Sequence, residues 1–380
     1  MSAERVNFAS SLGSSPTPRQ QVFDDLEVIQ NRGFRGFTSA LYRLVTFTAG
    51  VHNVPCATYL ASAPPDTVRV AFDQYGVIYP TSVDVPAIRQ PRIGSNYAWS
   101  LRHELDRLGY EYGPSQIAAA TAQVAESLKT KAKSVPANCM VVLIHGYNNA
   151  LPAAAENYSR IRAQLQHHPI LKPVYLEVFW DGMHRGPLTW RAPLLYWFDA
   201  MTYSNIAGQI GLRSLMNRRP LDLPVLFITH SRGAGVAFSC ISDPVYDDHI
   251  EVGEYEASTL QSAPSVALVC LAPAVGNGHS LPKVRAALPK NSSLGIGFNE
   301  RDPALQKPFV GAQSLGDTSL GTNEDFFLDA ERATNMGSTW LYRSVYADYP
   351  KHDLQGYLEH EGGKPFNALL DGAAATLRIV

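Results

Sequence analysis

Pro224-Val225-Leu226-Phe227-Ile228-Thr229-His230-Ser231-Arg232-Gly233 is the stretch on which the fold of this chain turns. A short unbroken apolar run is what a strand buried on both faces of a parallel sheet requires. Here the run leads through His230 into Ser231, and then into Gly233-Ala234-Gly235-Val236-Ala237, small residues suited to a closely packed helix. A serine at the tip of so tight a strand-to-helix turn must take a strained backbone conformation. The positions two before and two after it must be small for strand and helix to cross. Gly233 meets that condition, while Thr229 puts a β-branched side chain at the other position. The competing reading of Ser231 is an ordinary helix N-cap.

A second signal lies upstream. Met140 to Ile144 is another buried-strand run, and it ends in His145-Gly146-Tyr147-Asn148-Asn149. On its own this is a Gly/Asn turn that closes a strand. Taken together and in this order, H-G-Y-N after one strand and T-H-S-R-G after a later one resemble the α/β-hydrolase superfamily, especially its bacterial esterase- and lipase-like members. The resemblance spans residues 136 to 376. It implies an α/β-hydrolase fold, in which a central, mostly parallel sheet is flanked by helices. It also implies a serine nucleophile followed along the chain by an acid and then a histidine.

That order assigns the remaining roles. Ser231 is the expected nucleophile, and the backbone N–H of Arg232 and of Tyr147, with Asn148 as the near alternative to Tyr147, are the expected oxyanion-hole donors. The apolar run Ser265 to Leu271 ends in Ala272-Pro273-Ala274, without a carboxylate. The next, Ser293 to Asn299, ends in Glu300-Arg301-Asp302-Pro303. Asp302 is the expected acid and Glu300 its fallback; the competing reading of Asp302 is a helix cap. A last strand over Thr339 to Ala347 leads to His352, the expected base. His279 precedes the acid and His360 lies in the polar stretch E-H-E-G-G, so both are expected to be solvated loop residues, with His360 the alternative to His352 as the base. The chemistry implied is acyl transfer to water: His352 takes the Ser231 proton during attack and Asp302 fixes the imidazole tautomer.

The substrate is carried by weaker signals. A helical, cap-like insertion over residues 181–222 follows the apolar run Val174 to Phe179. Between Trp180 and Tyr203 the chain holds Trp180, Trp190, Tyr196, Trp197 and Phe198. Such aromatics could line an apolar acyl pocket or simply pack on the sheet. Trp180, Trp190 and Trp197, together with His145 and Asn148 of the turn, form the expected substrate-binding set. The expected reaction is cleavage of carboxylic esters, as in an esterase or lipase. A phospholipase-type lipid hydrolase is one alternative, since S-R-G-A resembles bacterial lipase effectors, and a non-catalytic binding protein that keeps the fold is another.

Composition sets the outer bounds. The chain has 380 residues, 45% of them apolar, enough for a large core in one α/β domain over residues 57–380 behind an N-terminal extension over 1–56. Residues 1–20 are Ser/Pro-rich and expected to be disordered. The net charge of −2 offers no electrostatic reason to expect nucleic acid or an anionic membrane, and the basic cluster from Arg213 to Arg219 is expected to be a solvated helix face. The start lacks a secretory signal, and the apolar stretch Phe37 to Val51 is interrupted by Arg43 and too short to cross a bilayer, so a cytoplasmic location without a transmembrane segment is expected. Cys56, Cys139, Cys240 and Cys270 show no C-x-x-C spacing and are expected to be reduced thiols; no cofactor or metal is expected. In the amino-terminal part, Ala57 to Ala63 and Thr67 to Phe72 are expected to be outer strands, and Ser115 to Lys133 a helix. No internal repeat is present.

Overall fold

The computed structural model describes residues 57–73, 75–81, 105, 109–147, 149, 151–180, 197–246, 254–276, 278–306, 318–335 and 339–378. Among the described residues there are seven strands: β1 (Thr67–Phe72), β2 (Cys139–Ile144), β3 (Pro173–Trp180), β4 (Val225–His230), β5 (Val266–Leu271), β6 (Ser292–Phe298) and β7 (Leu341–Val345). They join in one sheet of order β1-β3-β2-β4-β5-β6-β7. Every neighbouring pair is parallel. The sheet expected to be mostly parallel is therefore wholly parallel among the described residues.

Parallel neighbours need crossovers, and helices supply them. The described crossover helices are α2 (Pro114–Ser134), α3 (Leu151–Gln166), α4 (Trp197–Ile206), α5 (Arg213–Met216), α6 (Gly233–Ile241), α7 (Leu281–Ala286), α8 (Pro303–Gln306) and α9 (Glu324–Thr334), while α1 (Ala57–Ala61) precedes β1, and α10 (Leu354–Glu359) and α11 (Lys364–Leu377) follow β7. A π-helical segment, Ala207–Leu212, joins α4 to α5.

The two-residue period of the strands divides the core in two. Met140, Val142 and Ile144 of β2, with Val225 and Phe227 of β4, face α2, α4, α5 and α6. Cys139, Val141 and Leu143, with Leu226 and Ile228, face α3, α10 and α11. Burial on both faces explains why these strands are continuously apolar instead of alternating. Each fully buried Val, Leu or Ile contributes about 1.5–3 kcal/mol.

Several expectations give way to tertiary context. Ala57 to Ala63 is not a strand: Ala57–Ala61 forms helix α1, which one turn suffices to anchor through buried Leu60 before Pro64 and Pro65. The Arg213 to Arg219 cluster is not a solvated face, because Arg213 and Arg219 are buried. Arg213 donates to the carbonyls of Ser239 (2.6 Å) and Cys240 (3.0 Å) at the end of α6 and pairs with Asp243 (2.8 Å). The unpaired last carbonyls of a helix reward a buried cation in this way. Only Arg218 of that run behaves as expected, pairing with Glu256 near the surface. His279 is buried with Ser239 Oγ 3.0 Å from its Nε2, and His360 is half-buried against the rings of Tyr346 and Tyr349.

Other expectations agree with the structure. The helix expected at 115–133 is α2. Cys139, Cys240 and Cys270 are buried free thiols, each pushed up to about 12 by burial. Among the described residues no helix is long and apolar enough to cross a membrane. The extension over 1–56, including Cys56, and residues 181–196 of the insertion lie outside the described residues.

Candidate active site

Strand order reverses between β2 and β4: the chain runs from β2 to β3 on one side and returns to β4 on the other. A crevice opens at the carboxyl ends of strands at such a switch point. Both motifs end there, His145-Gly146-Tyr147 after β2 and Ser231 after β4.

Ser231 has φ 53, in the left-handed region, between β4 and α6. The neighbouring β5 edge secures this turn: Ser231 N–H donates to Leu271 O (2.9 Å), and Ala274 N–H donates to Ser231 O (3.1 Å). Gly233 must lack a side chain, since a Cβ there would stand 2.5 Å from Ile144 O and 2.6 Å from His145 O. A Cβ on Gly146 would fall 2.8 Å from Ser231 Cβ. The two turns touch at their glycines, and Thr229 is accommodated two residues before the serine with its side chain buried.

Three residues far apart in sequence then meet. Ser231 Oγ lies 2.8 Å from His352 Nε2, and His352 Nδ1 lies 2.7 Å from Asp302 Oδ2. A carboxylate accepts, so Nδ1 carries the proton and Nε2 is left to accept from the serine hydroxyl. Asp302 is fully buried and His352 partly exposed. Asp302 Oδ1 accepts from Ala304 N–H (3.0 Å) and Leu305 N–H (3.2 Å), so the helix cap and the histidine partner are two ends of one carboxylate. Glu300, the fallback acid, is exposed beyond β6.

The remaining candidates sort differently. Tyr147 is half-buried in the turn after β2, and Arg232 is the N-cap of α6. His145 is buried: its Nδ1–H donates to Gly146 O (2.8 Å), its Nε2 accepts from Trp180 N–H (3.2 Å), and its ring stacks on the Trp180 indole. Trp180 is 1% exposed and donates Nε1–H to His145 O (2.9 Å). These two residues brace the β2 turn against the end of β3. Trp197 opens α4, and Asn148 and Trp190 lie outside the described residues.

No family model matches the chain, and no curated protein matches it.

Several side chains contribute in ways the sequence reading did not assign. The Arg232 side chain is buried and donates to Ser204 Oγ (2.6 Å), Asn205 Oδ1 (2.6 Å), Met201 O (3.1 Å) and Ala274 O (3.0 Å). It ties the elbow to α4 and to the turn after β5. Tyr158 of α3 accepts from His145 N–H (2.8 Å) and donates to Val178 O, bridging the ends of β2 and β3. His230, adjacent to the serine, is held down to about 3 by burial and then by the nearby His352. Its place in T-H-S-R-G, next to Ser231, was the sequence clue to it.

Proposed function

We propose that this protein is a serine hydrolase that cleaves carboxylic esters through an acyl-serine intermediate, on an α/β-hydrolase-type scaffold. The observation that carries the reading is the continuous hydrogen-bonded chain from Ser231 through His352 to Asp302, with the serine on a strained strand-to-helix turn. The α/β-hydrolase fold usually has one antiparallel strand, and the described sheet has none. The reading therefore rests on the site and its place at the switch point.

Ser231 Oγ attacks the ester carbonyl carbon as His352 Nε2 accepts its proton, and Asp302 stabilises the imidazolium through Nδ1–H. The oxyanion is received by main-chain N–H groups at Tyr147 and Arg232, each contributing on the order of 3 kcal/mol by analogy with serine hydrolases. The imidazolium returns the proton to the departing alkoxide, leaving acyl-Ser231. Water, deprotonated by His352, then releases the carboxylic acid and regenerates the serine.

The test is a p-nitrophenyl ester chain-length series with wild type and Ser231→Ala, beside labelling by a fluorophosphonate. Turnover and a probe adduct on Ser231, both lost in the variant, support the reading. Ester hydrolysis retained by purified Ser231→Ala, or a wild type inert to both reagents, overturns it.

A further inference from the structure

Tyr357 lies in α10, five residues beyond His352, with no surface exposed. Its hydroxyl stands 2.7 Å from Asp302 Oδ2, the oxygen that also faces His352 Nδ1 at 2.7 Å. The direction of every proton here follows from the partners. Arg301 N–H donates to Asn299 Oδ1 (3.0 Å), which turns the Asn299 amide so that Nδ2 faces Tyr349 O (2.8 Å) and the Tyr357 hydroxyl oxygen (3.1 Å). The Tyr357 oxygen therefore accepts from Asn299, and its own proton points to Asp302. Burial, and then the Asp302 charge, push the phenol far above its ordinary range, so the hydroxyl remains a donor wherever the enzyme works.

We infer that Tyr357 is a positioning residue for the proposed proton transfer: it shares Asp302 Oδ2 with His352 and sets how much carboxylate charge the imidazolium feels. The inference rests on the hydrolase reading above. A carboxylate oxygen with two donors divides its charge between them, and a charge-assisted hydrogen bond is stronger than a neutral one. With Oδ1 occupied by Ala304 and Leu305 N–H, all four donors fix the carboxylate plane. Withdrawing the Tyr357 proton leaves a more basic carboxylate. The protonated site is then better stabilised, whichever of the two residues carries the proton, and activity disappears at a higher pH on the acid side. The other titratable or charged groups around His352 are His230 at the end of β4 and, on its own loop, Lys351 and Asp353, the latter bonded to Tyr349 (2.7 Å). Tyr357→Phe leaves all of them in place.

Tyr346 supplies the comparison. Its ring packs 4.6 Å from that of Tyr357, and its buried hydroxyl reaches no partner among the described residues. Tyr357→Phe should move the acid limb of kcat/KM upward by about one pH unit, a tenfold change in the protonation equilibrium, and lower kcat more than it changes KM. Tyr346→Phe should leave the profile unchanged. In proton NMR of the resting wild type, the His352 Nδ1–H and the Tyr357 hydroxyl should give two slowly exchanging downfield resonances with a mutual cross-peak, and Tyr357→Phe should remove one and move the other. An acid limb that does not move in Tyr357→Phe, or a wild-type spectrum without the cross-peak, overturns the inference. The spectrum needs no substrate and no variant. A wild type with the cross-peak but without esterase activity would fail the hydrolase reading alone.

Discussion

His230 Nε2 donates to the main-chain carbonyl of His352 at 2.8 Å, and the two imidazoles stand 4.9 Å apart. The residue before the serine thus holds the backbone of the residue that faces it. Because burial keeps His230 neutral, it supplies this bond without placing a second cation beside His352. His230→Phe preserves ring size and removes the donor. We expect kcat/KM for a p-nitrophenyl ester to fall about 10- to 100-fold, the scale of a small misplacement of a catalytic group, with far-UV dichroism unchanged. Wild-type activity in this variant would show that the remaining bonds to the loop, those from Asn299 to Tyr349 O and from His352 to Asp302 among them, suffice to place His352.

Stability should fall on the acid side of neutrality. His230 is lowered to about 3 and His279 well below its ordinary 6.5, in both by burial first, then by nearby His352 and Arg232 respectively. In the unfolded chain both take a proton near pH 6.5, whereas the folded protein holds them neutral. Their contribution is fully present above that pH and is lost as pH falls toward the folded values. Each should cost about 1.4 kcal/mol per pH unit below roughly 6. Urea denaturation at pH 7.5 and 5.5 measures this; equal midpoints would count against both histidines being neutral.

The left-handed backbone of Ser231 predicts an inversion of the usual glycine penalty. At φ 53 a side chain is strained by about 1–2 kcal/mol, while glycine costs about 0.5–1 kcal/mol in chain entropy. Ser231→Gly should therefore be more stable than Ser231→Ala by up to about 1 kcal/mol, with both variants inactive. Thermal melts of the pair decide it, and a less stable glycine variant would argue that the turn is unstrained.

Gly233→Ala should be costly for a different reason. Its Cβ meets two carbonyl oxygens of the β2 end, which cannot rotate away as a side chain would. A loss of about 1–3 kcal/mol and a large drop in turnover are expected, since relief must come from moving the serine turn off the Gly146 turn. Gly278, where a Cβ would meet nothing within 4 Å, is the comparison and should tolerate alanine. Equal melting temperatures for the two variants would refute the close crossing.

Much of this organisation was legible along the chain because it depends on local pattern. Residues 225–229 and 140–144 are apolar without alternation, and only a strand covered on both faces needs that. Ser231, Asp302 and His352 could be placed because the resemblance to α/β-hydrolases implies a serine, then an acid, then a histidine, each beyond an expected strand, although β7, the strand before His352, is neither continuously apolar nor covered on both faces. What escaped was side-chain partnership across sequence. Arg213 and Arg219 look solvated in a linear reading, since nothing local reveals that carbonyls await Arg213 at the end of α6 or that Thr259 lies 3.1 Å from Arg219. His145 and Trp180 were expected to face substrate, and they are found bonded to each other instead.

By itself, then, the amino-acid order determined which segments become buried strands and where the tight glycine turns fall, because periodicity and steric allowance are properties of neighbouring residues. Tertiary structure alone decided that all seven strands run parallel and that Tyr357 and His352 share one carboxylate oxygen. It also decided that His230 grips a carbonyl 122 residues away. Those outcomes depend on packing between distant elements, where a hydrogen bond forms only once burial has removed the competing water.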